Sequence, residues 1–196
     1  MRKIRILEHI SLDGVVQAPG GRGEGGDDYP HGGWTSQYGS AAGAEAITEA
    51  QGTNFDLLLG RNTYDIFAGY WPKAGNSPIA NGLNAATKYV ATHRPDSLEW
   101  GPVGDLGADI MDGIRRVKSE DGPDMIVWGS GALTTALLEQ GLVDEVVLFV
   151  YPVVLGEGKR FFDHGVGPRE LALVSTKAMS SEVLMNTYRY VGSLRA

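Results

Sequence analysis

A chain of 196 residues, 42% hydrophobic and 21% charged, is long enough for one globular domain with a sizeable core. A net charge of −7 at pH 7, with 17 Lys and Arg scattered rather than blocked, argues against a nucleic-acid surface. No apolar run reaches the ~18 residues of a membrane span, and cysteine is absent. Disulfides and thiolate metal sites are thereby excluded, no metal is expected, and a cytoplasmic location fits.

The first element is "KIRILEHI", residues 3–10, whose rough alternation predicts a strand. The apolar run breaks at Glu8 and His9, so the N-terminus reads as a strand and not as a signal peptide. Residues 18–33 hold seven glycines and two prolines, which predicts a long loop of the kind that serves as a lid or stays disordered. Residues 40–52 are alanine-rich and helical, with Gly52 at the end. "FDLLLG" is a short buried strand, and "RNTYDIFAGYW" opens a helix that fails by Pro72. Residues 74–85 read as loop and turn with a short helix possible within them.

"KYVATH" is the next strand, and "SLEWGP" a further short one. Ile110, Ile114 and Val117 recur at helical spacing across Asp109–Ser119. "DMIVWG" is a strand, "ALTTALLEQG" a helix closed by Gly141, and "DEVVLFVYPVVLG" a long apolar strand. Residues 170–178 and 182–191 alternate as two strands joined near Ser180-Ser181, an antiparallel C-terminal hairpin. Strands and helices alternate up to that hairpin. The expected fold class is therefore α/β, a mostly parallel central sheet with helices on both faces and an antiparallel edge. No repeat and no internal boundary is visible, so residues 1–196 read as one domain.

In an open α/β sheet, ligands bind beyond the carboxyl ends of the strands. Three such ends carry residues suited to phosphate. In "LLLGRNTYDIF", Gly60 follows a buried strand and a helix begins near Asn62 or Thr63, so backbone N–H groups and the helix dipole favour an anion. Arg61 adds a fixed charge and Thr63 a hydroxyl. In "VWGSGAL", Gly129 and Gly131 permit close backbone approach around Ser130, with a helix opening at Ala132. In "YVATHRPD", Thr92, His93 and Arg94 follow a strand end. Each has a plainer use: Gly60 as a turn and Thr63 as a cap, the G-S-G as a corner, and Thr92–Arg94 as a solvated loop. The G-S-G is neither the full dinucleotide fingerprint, since Thr134 holds its third glycine position, nor a phosphate loop with Lys-Ser/Thr.

"SLDG" (11–14), "LLLGRNTYDIF" (57–67), "YWP" (70–72), "VWGSGAL" (127–133) and "DEVVLFVYPVVLGEGKRFF" (144–162) together resemble the dihydrofolate reductase-like family. The branch is the one that contains the reductase domain of bacterial riboflavin biosynthesis, the RibD C-terminal domain. The resemblance covers nearly the whole chain. It implies a three-layer fold and an NADPH-binding reductase, commonly a homodimer, acting on a small heterocyclic or carbonyl substrate such as 5-amino-6-(5-phosphoribosylamino)uracil or a folate. Carried over by position, Gly60, Arg61, Asn62 and Thr63 lie at the adenosine and pyrophosphate end. Thr92, His93 and Arg94 lie at the 2′-phosphate, and Gly129, Ser130, Gly131 and Ala132 face the pyrophosphate. Ser11–Gly14 lie near the nicotinamide or substrate. With no cysteine and no room within these 196 residues for the deaminase domain of the riboflavin enzyme, a stand-alone reductase domain is expected.

Hydride transfer also needs a proton. The acid candidates are Asp13, Glu45, Glu49 and His31; their plainer uses are an Asp-Gly turn for Asp13, a solvated helix face for the two glutamates and an exposed loop position for His31. Trp34 and Tyr38, like Tyr70 and Trp71, can stack on a flat heterocycle or serve as core. Gly156 allows close approach, and Lys159 and Arg160 can reach a substrate phosphate. Two other functions fit the same residues: a nucleotide- or flavin-binding dimeric protein without catalysis, and a dimeric scaffold whose glycine turns are structural.

Overall fold

The computed structural model describes residues 1–24, 29–39, 41–162 and 167–194. The chain divides into two units, Met1–Ile6 with Gln51–Asp144, and Leu7–Ala50 with Glu145–Ala196. Strand β1 (Ile4–Ser11) contributes residues to both. Residues 25–28, within the expected glycine-rich loop, lie outside the described residues, as does Ser40.

In the first unit, the uninterrupted apolar runs become parallel strands: β2 (Phe55–Gly60), β3 (Lys88–Ala91), β4 (Val103–Gly104) and β5 (Asp124–Trp128). Strand β2 pairs with β3 and β5, and β3 pairs with β4, all parallel. Leu57, Leu58, Leu59, Met125, Ile126 and Val127 are fully buried, as strands covered on both faces require. The register sets Gly60 opposite Ala91, so the ends of β2 and β3 coincide.

The helices of this unit are α2 (Arg61–Tyr70), α3 (Pro78–Ala85), α4 (Ile110–Ser119) and α5 (Gly131–Glu139). Ser77 caps α3 by accepting from the Ala80 N–H, with Pro78 in its first turn; Asp109 caps α4 by accepting from the Asp112 N–H. Helix α2 stops at Tyr70 because Pro72 lacks the N–H that would continue it. The expected strand in "SLEWGP" is not formed. Trp100 turns inward instead, its N–H donating to the Tyr64 hydroxyl at 2.7 Å and its ring packing on Tyr64, so pairing resumes only at Val103.

Lys88 is wholly buried on β3. Its ammonium donates to the carbonyls of Asn84 (2.7 Å) and Gly101 (3.0 Å) and lies 4.2 Å from the Trp100 ring centroid. Burial pushes its pKa down to about 8 against the opposing pull of Asp56.

In the second unit, β6 (Glu145–Tyr151), β7 (Arg169–Ala178) and β8 (Leu184–Ser193) are antiparallel, with β8 paired to both β6 and β7. The hairpin closes where the Met179 N–H donates to the Val183 carbonyl. Helix α1 (Ala41–Gln51) ends before Gly52, whose φ is +79°. The expected long strand over residues 144–156 is shorter: β6 ends at Tyr151, because Pro152 cannot donate to a ladder. The strand order is β4-β3-β2-β5-β1-β6-β8-β7, a mixed, mostly parallel eight-stranded sheet with an antiparallel C-terminal hairpin. Among the described residues, no helix is long and apolar enough to cross a membrane.

Candidate functional site

In the first unit, β2 and β5 each run into a helix with almost no intervening chain. Gly60 is the extended N-cap of α2, and the helix begins at Arg61, one or two residues earlier than the sequence implies. Thr63 is therefore inside α2 and does not cap it. The first-turn N–H groups of Arg61, Asn62 and Thr63 have no acceptor within the helix. Neither α2 nor α5 carries an acidic residue in its first turn, so the positive end of each dipole is uncompensated there.

The β5–α5 turn uses two consecutive left-handed residues, Gly129 at φ +54° and Ser130 at φ +59°. A serine there costs about 1 kcal/mol of backbone strain, and its hydrogen bonds offset that cost. The Ser130 hydroxyl accepts from the Gly60 N–H at 2.8 Å and donates to the Trp128 carbonyl at 2.9 Å. The Ser130 N–H donates to the Thr63 hydroxyl at 3.1 Å, and Thr134 donates to the Gly129 carbonyl.

The two glycines of this turn differ in kind. A Cβ at Gly129 would sit 3.2 Å from the Thr63 hydroxyl oxygen, on a backbone already at positive φ, so the fold itself requires glycine. A Cβ at Gly131 would meet nothing within 4 Å, and its φ lies outside the left-handed range. Nothing in the fold demands glycine at 131. The surface before the α5 N–H groups is left bare, which is the shape that an approaching phosphate needs.

Arg61 is committed to the protein. Its Nε donates to both carboxylate oxygens of Asp65 (2.8 and 2.9 Å), and its Nη1 donates to the Ser97 hydroxyl at 2.6 Å and to the Arg94 carbonyl. It ties α2 to the loop after β3. In that loop the Thr92 hydroxyl accepts from the Arg94 N–H at 3.1 Å. The His93 and Arg94 side chains are exposed, with no acidic partner among the described residues. Arg94 is the open cation of this edge. An open groove of about 740 Å³ lined by Tyr89, Asp105, Asp112 and Arg116 includes none of these strand-end residues.

In the second unit, Asp13 is a hub. Its Oδ1 accepts from the Ser11 hydroxyl (2.7 Å) and the Leu155 N–H (3.1 Å), and its Oδ2 from the Gly156 N–H (2.8 Å). The Ser11 hydroxyl, then the two backbone donors, hold the carboxyl down to about pKa 2 in spite of some desolvation. A carboxylate so held stays ionised at neutral pH, so the expected role as proton donor does not fit Asp13; it anchors the 155–160 loop. Lys159 donates its backbone N–H to Gln17 and leaves its ammonium exposed. Of the other acid candidates, Glu45 is exposed, Glu49 pairs with Lys177 at 2.7 Å on the surface, and His31 lies 3.5 Å from Glu157.

Trp34 is buried, donating its indole N–H to the Gln17 carbonyl and packing edge-on against Tyr151 at 5.2 Å; half-buried Tyr38 meets the same ring at 5.4 Å. Tyr151 also shares a 2.9 Å hydrogen bond with His9 Nδ1. Burial pushes the imidazole down to about 4 and the phenol up to about 12, so both are neutral at pH 7. The one trace of this pair in the sequence is His9, which interrupts the apolar run of β1 near its carboxyl end.

The family model for the RibD C-terminal domain matches residues 2–185. The uncharacterized protein YyaP of Bacillus subtilis (strain 168) is 29% identical over 140 residues, covering 69% of this chain and 74% of that protein. A pyrimidine reductase-like protein from Corynebacterium diphtheriae has a TM-score of 0.64 at 12% identity, with 97% of this chain and 92% of that one covered. A dihydrofolate reductase from Enterococcus faecalis, complexed with NADP(H), has a TM-score of 0.60 at 14% identity, covering 96% of each chain. At such identities the two structures speak to a shared fold.

Proposed function

This chain belongs to the RibD C-terminal domain family, and we propose that it is an NADPH-dependent reductase of a small heterocyclic or carbonyl substrate. The observation that carries this reading is the pair of uncompensated helix N-termini joined by hydroxyl hydrogen bonds, with Gly131 bare where the fold does not need glycine. The donor set fits a dinucleotide. The first-turn N–H groups of α2 and α5 and the Thr63 hydroxyl suit a pyrophosphate, while Arg94, with His93, suits a 2′-phosphate. Arg61 serves by holding the Arg94 loop in place.

When bound, the cofactor supplies a hydride. On the substrate side we assign half-buried Tyr38, which meets Tyr151 edge-on, to a planar ring, and the Gly156–Lys159 loop to an anionic substituent such as a ribosyl phosphate. With Asp13 committed as an anchor, water delivers the proton. We also propose a cytoplasmic location, which the absence of cysteine fits, and a homodimer. The dimer draws on the exposed Leu173 and Val174 of the edge strand β7.

Isothermal titration calorimetry with NADPH and NADH tests the reading. Micromolar binding of NADPH, weaker binding of NADH, and oxidation of NADPH at 340 nm with a pyrimidine or pterin substrate are expected; no heat from either nucleotide at millimolar concentration refutes it. The commitment of Asp13 also favours a second reading, nucleotide binding without turnover, which predicts the same heats with no oxidation across the panel.

A further inference from the structure

The hydroxyls of Thr63 and Ser130 stand 67 residues apart in the chain and bind reciprocally. The Ser130 hydroxyl satisfies the N–H of Gly60, the N-cap of α2, while the Thr63 hydroxyl, on the first turn of α2, satisfies the N–H of Ser130, the residue that opens α5. Each helix N-terminus is thus fastened to the other by a side chain of its neighbour. We propose that Ser130 and Thr63 form a positioning latch that sets the spacing of the two helix N-termini so that one pyrophosphate meets both. This inference rests on the dinucleotide reading above.

The two hydroxyls have different standing. The Ser130 proton is spent on the Trp128 carbonyl, and its oxygen already accepts from Gly60. It has no proton left for a phosphate, so it acts through the backbone that it holds. The Thr63 hydroxyl accepts from Ser130, and its own proton has no acceptor among the described residues. Thr63 is therefore free to donate to a phosphate oxygen while it receives from Ser130, which joins ligand and latch in one chain of hydrogen bonds. The geometry also accounts for a serine in left-handed backbone, where glycine would sit without strain: glycine would leave the Gly60 N–H without its acceptor.

The test uses Ser130→Ala, which keeps the Cβ and removes only the hydroxyl, with Thr63→Val, Thr63→Ser and the double variant Ser130→Ala/Thr63→Val. Each is titrated with NADPH and with adenosine 2′-monophosphate, which lacks a pyrophosphate. Ser130→Ala is expected to weaken NADPH about tenfold, the worth of one hydrogen bond, and to change adenosine 2′-monophosphate by less than twofold. Thr63→Ser retains NADPH affinity, Thr63→Val loses it, and the double variant is no worse than Thr63→Val alone because both changes cut one device. A loss that is equal for the two ligands, or no loss for NADPH, overturns the latch while leaving the dinucleotide reading in place. Failure of the unsubstituted protein to bind either ligand removes that reading and the latch with it. Thermal melts of every variant identify a general loosening of the fold, which would weaken both ligands alike and so also counts against the latch.

Discussion

Gly131→Leu separates a phosphate cradle from a corner. The first position of α5 is exposed, a Cβ there meets nothing within 4 Å, and its backbone is not left-handed, so the fold accommodates the side chain. Glycine is about 1 kcal/mol worse than alanine inside a helix, and leucine is nearly as good as alanine. Stability should therefore hold or rise, by at most a few degrees in Tm, since about 1 kcal/mol shifts a domain of this size by roughly 2–4 °C. Binding should not hold. The new side chain covers the N–H groups of residues 131 and 132. Losing two hydrogen bonds to a charged oxygen, at about 1.5–3 kcal/mol each, removes at least ~3 kcal/mol, which is more than a hundredfold in affinity. The assay is calorimetric titration with NADPH beside a thermal melt. Gly129→Ala is the contrasting control: its positive φ and the 3.2 Å approach to Thr63 predict a loss of stability of about 1–2 kcal/mol. If Gly131→Leu binds NADPH within threefold of the unsubstituted protein, the turn is a corner and the cradle reasoning fails.

Three further outcomes follow from the same side chains. Arg94→Ala should weaken NADPH about tenfold and NADH by less than twofold, read by calorimetry, because only the former carries a 2′-phosphate. The His9 pKa is depressed from 6.5 to about 4 in the fold. The folded protein thus binds fewer protons than the unfolded chain across that window, and stability should fall by about 3 kcal/mol as pH drops through it. Urea midpoints at pH 7, 5.5 and 4 should show the slope, and His9→Phe, which keeps an aromatic ring beside Phe149 and Tyr151, should flatten it. Lys88, depressed from 10.5 to about 8, acts in the alkaline range: stability should rise from pH 8 towards pH 10, and Lys88→Met should abolish the rise. Tyr29 and Tyr151, both displaced upward, contribute with opposite sign above pH 10.

The architecture was legible because its signals are local. Apolar runs marked β2, β5 and β6, helical spacing marked α4, and alternation marked the C-terminal hairpin. What misled was also local, and was overruled at a distance. "SLEWGP" has the composition of a strand, yet Trp100 is drawn inward by Tyr64, 36 residues earlier. Asp13 looks like an acid in a reductase loop; Ser11, two residues earlier, does most to hold its charge, yet the backbone donors that make it an anchor arrive from residues 142 and 143 positions later. No window along the chain contains those donors.

The same limit applies within one tripeptide. Read along the chain, Gly129 and Gly131 are the same signal, two glycines at a strand-to-helix turn. In three dimensions the first is fixed by left-handed backbone and by Thr63, and the second by nothing in the fold. A glycine that the fold needs carries no information about a ligand, because it would be there without one. A glycine that the fold does not need, placed on bare helix N–H groups at a strand end, leaves room for another cause, and the proposed approach of an anion would supply it. The motif therefore bears on function at Gly131 and not at Gly129, and that distinction comes from what each missing Cβ would have touched.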